Sequence, residues 1–214
     1  FGSKCGIYKL FLIFLISSFL GDIVETIFML ATTGKLVCRS SVVYGQFSIV
    51  WGLACVLATI FLYQFREKSD RYVFLWGTVL GGAYEYVCSV FTEVVFGAVF
   101  WNYSKLPFNL GGRINLLFCF FWGIASVAWI KGVYPRLSDL IDRIPKKAGH
   151  ICAWLLAVFM IINMVISSAA VIRYTERNCE PTAVDTDNKI VQLIDERFPD
   201  ERMVKRYPYM RFRR

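Results

Sequence analysis

The chain has 214 residues, of which 57% are hydrophobic and only 19% charged. So few charges cannot coat a water-facing surface, which excludes an ordinary soluble globule. The formal charge of +8 sits mainly in residues 1–174, where 15 Lys and Arg face 8 Asp and Glu, while residues 175–214 hold 9 against 8. Anionic lipid headgroups are the natural counterpart of that excess. No basic helix or aromatic-interleaved basic stripe lies outside the apolar runs, so nucleic acid is not an expected partner.

Five apolar runs approach or exceed the roughly 20 residues that cross a hydrocarbon core. The first spans about Ile7 to Ala31 and is hydrocarbon until Gly21, after which Asp22 and Glu25 interrupt it. It is too long for a signal-peptide h-region and lacks a small-x-small exit, so an anchor is expected. A loop from Thr32 to about Gln46 carries Lys35, Arg39 and Gly45, and the second helix runs from about Phe47 to Phe65. The third, about Tyr72 to Phe96, contains Gly77, Gly81 and Gly82 together with Glu85 and Glu93. Small residues of this kind let a neighbouring membrane helix approach closely.

A polar aromatic loop follows, in which Trp101 and Tyr103 suit the headgroup interface. The stretch Pro107-Phe108-Asn109-Leu110-Gly111-Gly112-Arg113 has turn chemistry. Asn109 and Arg113 there either hold an anionic group at the mouth of the bundle or form a rigid connector, and residue chemistry alone favours the connector. The fourth helix covers about Ile114 to Tyr134 and the fifth about Ile151 to Ile172. Beyond Arg173, Ile190, Leu193, Ile194 and Phe198 fall at helical spacing with Asp187 as N-cap, and Pro199 restarts the chain. The expected fold is an all-α polytopic membrane bundle of about five helices over residues 1–174. An amphipathic tail over residues 175–214 lies on the membrane surface or docks on the bundle.

Counting Lys and Arg beside the spans places 10 on the N-terminal side and 7 on the other, which favours a cytoplasmic N-terminus. The seven cysteines, at 5, 38, 55, 88, 119, 152 and 179, form no C-x-x-C pair, and His150 is the single histidine. No metal site or cofactor is expected from them. A Cys38–Cys179 disulfide requires both residues to face outside.

The chemistry rests on ionisable residues at membrane depth, which must be paired, neutralised or water-facing. Asp22 and Glu25 are three apart and share a helix face. Glu85 and Glu93 are two turns apart, so both can point into one interior. Arg39 and Arg113 flank these helices on the side of Glu25, making ion pairs across the interior the natural expectation. A carboxylate-rich cavity of this kind would bind a cation, relay protons or hold a polar headgroup; the plainer alternative is a set of structural pairs at helix ends. Glu25 and Glu85 rank first, with Arg39 and Arg113 as partners and Asp22 and Glu93 nearer an interface.

Several segments together resemble a known family. They are Ser18-Phe19-Leu20-Gly21-x-x-x-Glu25, Arg39…Tyr44-Gly45…Trp51-Gly52, Glu85-Tyr86 with Ser89, and Trp101-Asn102-Tyr103-Ser104-x-x-Pro107-Phe108-Asn109-x-x-Gly112-Arg113-Ile114. With the tail's Phe198-Pro199-Asp200-Glu201-Arg202-Met203, they resemble the bacterial family labelled putative ABC-transporter permease, type IV. The chain departs from the family pattern at Asp22 and Gln46, and it has neither a coupling loop of the EAA type nor a Walker motif. The resemblance implies a bacterial plasma-membrane protein and a permease-type transporter subunit. Five helices are few for a complete transporter, so an ATPase, a second membrane subunit or a second copy is an expected partner beside the lipid bilayer. Two other functions stay open. One is an intramembrane enzyme acting on a lipid-linked substrate, with Glu25 or Glu85 as acid or base. The other is a non-catalytic sensor or assembly factor.

Overall fold

The computed structural model describes residues 6–179 and 188–213. Four of its helices are long and apolar enough to cross a membrane: Ile7–Thr33 (α1), Asp70–Phe96 (α3), Leu116–Asp142 and Lys146–Cys179 (α6). The fifth apolar helix is shorter, Ile49–Leu62 (α2) with a 3-10 turn to Phe65. The chain is therefore a multi-pass membrane protein built as a helix bundle. Its outward apolar side chains, such as Trp154, Leu155, Ile161 and Val165 on α6, are exposed because hydrocarbon rather than water is their solvent.

Local chemistry sets most of the ends. Gly34 (φ 69°) stops α1 and Gly97 (φ 62°) stops α3, each in the left-handed region that L side chains resist, and each N–H returns to the last turn. Asn115 starts the fourth span by accepting from the Leu117 N–H at 3.0 Å. That span divides into Leu116–Ala128 (α4), a π turn at Trp129–Val133, and Tyr134–Asp142 (α5). The helix thus continues eight residues past the expected stop at Tyr134. Pro135 cannot donate to the ladder, and its ring would crowd the preceding turn; the wider π turn just before it relieves both conflicts.

The bundle is assembled from two glycine-mediated pairs. Gly21 of α1 lies against Trp51, and Gly52 of α2 lies against Phe14 and Ser18. Gly77, Gly81 and Gly82 of α3 meet Ser126, Trp122 and Cys119 of α4, so any added Cβ would collide. Helix α6 lies against α1 and α3. One apolar core, including Ile13, Leu62, Val73, Trp129, Ile130 and Ile141, fills the end of the bundle near residue 7. At that end Lys9 pairs with Asp142 at 2.7 Å and Lys131 with Asp70 at 2.9 Å.

The tail packs on the opposite end. Its helices are Lys189–Arg197 (α7) and Asp200–Arg206 (α8); Phe198 between them and Met203 of α8 join a second core with Val43, Ala170, Val171, Tyr174 and Tyr207. Asn188, not Asp187, caps α7 by accepting from Ile190 N–H at 2.9 Å; Asp187 lies outside the described residues. Strand Arg211–Phe212 (β4) then pairs antiparallel with Ala98–Val99 (β1), in the register Ala98↔Phe212. A second two-residue pair, Asn109–Leu110 (β2) with Ile114–Asn115 (β3), closes the aromatic loop. Cys38 and Cys179 are both free thiols.

Candidate functional site

Between the two cores lies a chamber of about 900 Å³. Its walls come from the later half of α1, the start of α2, the later half of α3, the start of α4, α6 and the tail. Aromatic rings dominate it, among them Trp51, Tyr84, Tyr103, Phe118 and Trp122. Trp51 and Trp122 have ring centroids 5.1 Å apart, Tyr84 meets Trp122 edge-on at 6.3 Å, and Tyr103 stacks on Phe118 at 4.7 Å.

Two carboxylates line this space. Glu25 Oε1 accepts from Arg39 Nε at 2.8 Å and Nη2 at 2.5 Å, and the same guanidinium lies over the Tyr209 ring at 5.3 Å. Glu85, only 6% exposed, accepts from the Tyr103 hydroxyl at 2.7 Å and the Trp122 indole N–H at 3.2 Å, one bond on each oxygen. Burial, reinforced by the negative charge of Glu85, pushes the Tyr103 phenol far above its usual range, so it remains a donor.

The other singled-out residues take different places. Asp22 is 1% exposed and accepts from the Ser40 hydroxyl at 3.0 Å, one residue from the partner of Glu25. The shared helix face of Asp22 and Glu25 therefore grips two consecutive loop residues. Arg113 pairs with Glu93 at 2.7 Å rather than with Glu85, and Arg213 joins them at 3.2 Å. Asn109 serves its own turn, donating to the Leu106 carbonyl at 2.6 Å and accepting from Gly112 N–H at 2.9 Å. Neither Glu93, Arg113 nor Asn109 belongs to the chamber lining. Tyr103, expected at the headgroup interface, instead points its hydroxyl inward to Glu85.

Two groups of site residues escaped the sequence. Asn163 and Ser167, four apart on α6, clamp the loop after α1. Asn163 donates to the Tyr44 carbonyl at 2.8 Å, and the Val43 N–H donates to Ser167 Oγ at 2.8 Å. Polar residues at that spacing in an otherwise apolar helix were a readable signal. The tail closes the same end: Arg206 donates to the carbonyls of Val42 and Gly45, and the Tyr207 hydroxyl donates to the Ser41 carbonyl at 3.1 Å. Farther out, Asp195 of α7 accepts from Arg173 Nη2 at 2.7 Å and from Arg177, which also pairs with Asp200 at 2.7 Å. Partial burial raises the Asp195 carboxyl, but the two guanidinium groups outweigh it and hold it below the usual carboxylate range.

Fold and chamber together define a multi-pass membrane protein with a half-open aromatic chamber in which, among the described residues, charged groups are few and mostly matched. The family model described as Putative ABC-transporter type IV matches residues 12–168, well over half of the chain. The chain belongs to that family. Neither a curated protein nor a solved structure matches it.

Proposed function

We propose that the chain is a permease-type subunit of a bacterial plasma-membrane transporter, and that its chamber holds the transported solute. The size and lining of the chamber support this: about 900 Å³, walled by aromatic rings, with polar groups at a few fixed points. Such a lining suits an amphipathic organic molecule. An intramembrane enzyme is the second reading. It is less favoured because both oxygens of Glu85 already accept bonds and Glu25 is held by Arg39, which leaves neither carboxylate poised to move a proton. Energy coupling falls to an ATPase or a second membrane subunit.

The docked tail also bears on orientation. It adds Arg197, Arg202, Lys205, Arg206, Arg211 and Arg213 to the end of the bundle that carries Arg39 and Arg113. That reverses the balance counted from the loops and the first tail residues, and it supports reading the tail end, rather than the N-terminus, as the cytoplasmic one. The transport reading is tested by profiling metabolites inside and outside cells that lack the protein, complemented with the wild type or with Trp122→Ala. A solute whose distribution across the membrane shifts while its total stays constant is the expected result. A changed total with an unchanged distribution would mean conversion, and an unaltered profile would also remove the permease assignment.

A further inference from the structure

Glu85 is a chamber carboxylate with no basic partner among the described residues. Among the described residues no Lys or Arg makes an ion pair with it, and its bonds come from neutral donors, Tyr103 and Trp122. Neutral hydrogen bonds orient a carboxylate without cancelling its charge, and an uncompensated charge at membrane depth is costly. None of the basic groups that line the chamber is paired with Glu85. Arg39 is held by Glu25 and Tyr209, Arg206 by backbone carbonyls and Cys38, and Arg211 lies exposed on β4. Around Glu85 stand Trp51, Tyr84, Tyr103 and Trp122, rings of the types whose negative faces attract cations.

We infer that the chamber takes an organic cation, an amphipath whose positive head is an ammonium or similar group. Glu85 serves as its counter-ion, and the rings of Trp51, Tyr84 and Trp122 form its walls. The inference rests on the reading of the chamber as a solute-holding space and names the chemical class of that solute. A neutral solute would leave Glu85 to bury its charge or take up a proton, and an anionic one would be repelled by the ionised carboxylate where the chamber is most buried.

The test uses the full chain in phosphatidylcholine nanodiscs, with binding of tritiated tetraphenylphosphonium measured by scintillation proximity and empty nanodiscs as the partition control. Labelled tetraphenylborate, of the same shape and opposite charge, is measured in separate nanodiscs, because the two ions pair when mixed. Saturable binding of the cation is expected, with none of the borate, and at least tenfold weaker cation binding in Glu85→Gln. The Gln carbonyl keeps an acceptor for Tyr103. Should that variant fail to fold, Trp51→Leu, which leaves both bonds to Glu85 in place, must weaken binding by at least fivefold. Non-saturable uptake, equally tight saturable binding of the borate, or unchanged affinity in the folded variants overturns the inference and leaves the permease assignment to the solute distribution. Cation binding without any altered distribution in cells has the opposite meaning: the site stands and the permease assignment falls.

Discussion

Asp195→Asn isolates the clamp that holds the tail to the bundle. In the wild type Asp195 receives Arg173 at 2.7 Å and Arg177 on its other oxygen, with its side chain 25% exposed. Hydrogen bonds to charged partners contribute about 1.5–3 kcal/mol each when well buried, and partial exposure screens them. Asn keeps one acceptor oxygen, and both arginines keep other partners, Glu176 for Arg173 and Asp200 for Arg177. The net loss is therefore about 2 kcal/mol of docking free energy, or a roughly thirtyfold larger opening constant. Hydrogen exchange of α7 in nanodiscs reads it directly: α7 should exchange faster in the variant while α3 and α4 do not change. The pH dependence gives a second readout. Because the folded Asp195 carboxyl sits below its ordinary value, its contribution is complete above about pH 4 and is lost as pH falls through the depressed value. After correction for intrinsic exchange, the wild type should lose α7 protection more steeply than the variant in that acid range. Equal α7 exchange in the two proteins at neutral pH would refute the reasoning.

Three further substitutions probe the bundle and the chamber mouth. Gly81→Leu drives a side chain into Trp122 and should lower thermal stability in detergent by about 1–3 kcal/mol or more. Gly132→Ala, whose Cβ would find its nearest neighbour at 3.6 Å on the guanidinium of Arg136, should change stability by less than about 1 kcal/mol; equal losses would disprove the close-packed α3–α4 contact. Cys38 receives Arg206 Nη1 at 3.4 Å beside the mouth. In a chain whose other cysteines are replaced, Arg206→Ala should speed maleimide labelling of Cys38 several-fold. An impermeant reagent should reach it in inside-out vesicles and not in intact cells; labelling from outside would reverse the proposed orientation.

The spans were readable because a long apolar run has few alternatives to a membrane helix, whereas their ends depend on contacts that a local window does not contain. Residues 173–179 are polar enough to suggest a tail, yet α6 continues through them because Arg173 and Arg177 find Asp195 and Asp200 more than fifteen residues later. Pro135 suggests a stop, but a π turn absorbs it. In the chamber the ionisable residues stand out against an apolar background, and the Glu25–Arg39 pair joins residues only 14 apart. The partners of Glu85 are 18 and 37 residues away on a loop and another helix, and Gly81 lets Trp122 come close enough to donate.

The tail was hardest to place, for a physical reason. Tyr207, Tyr209 and Arg211 have the composition of an interfacial segment, and such residues are equally content at a headgroup surface or against a bundle. What decides between the two is the backbone they meet. The loop after α1 exposes the carbonyls of Ser41, Val42 and Gly45, and β1 offers an unpaired edge at Ala98 and Val99. A tail that satisfied only lipid would leave most of those groups without partners at the mouth of an apolar chamber, the Gly45 carbonyl keeping only the Ser40 hydroxyl at 3.3 Å, and an unmet backbone group there costs several kcal/mol. Docking is thus favoured from the bundle's side as much as from the tail's. The mouth can open only if something else, water or a partner subunit, takes over the bonds that Arg206, Tyr207 and β4 now supply.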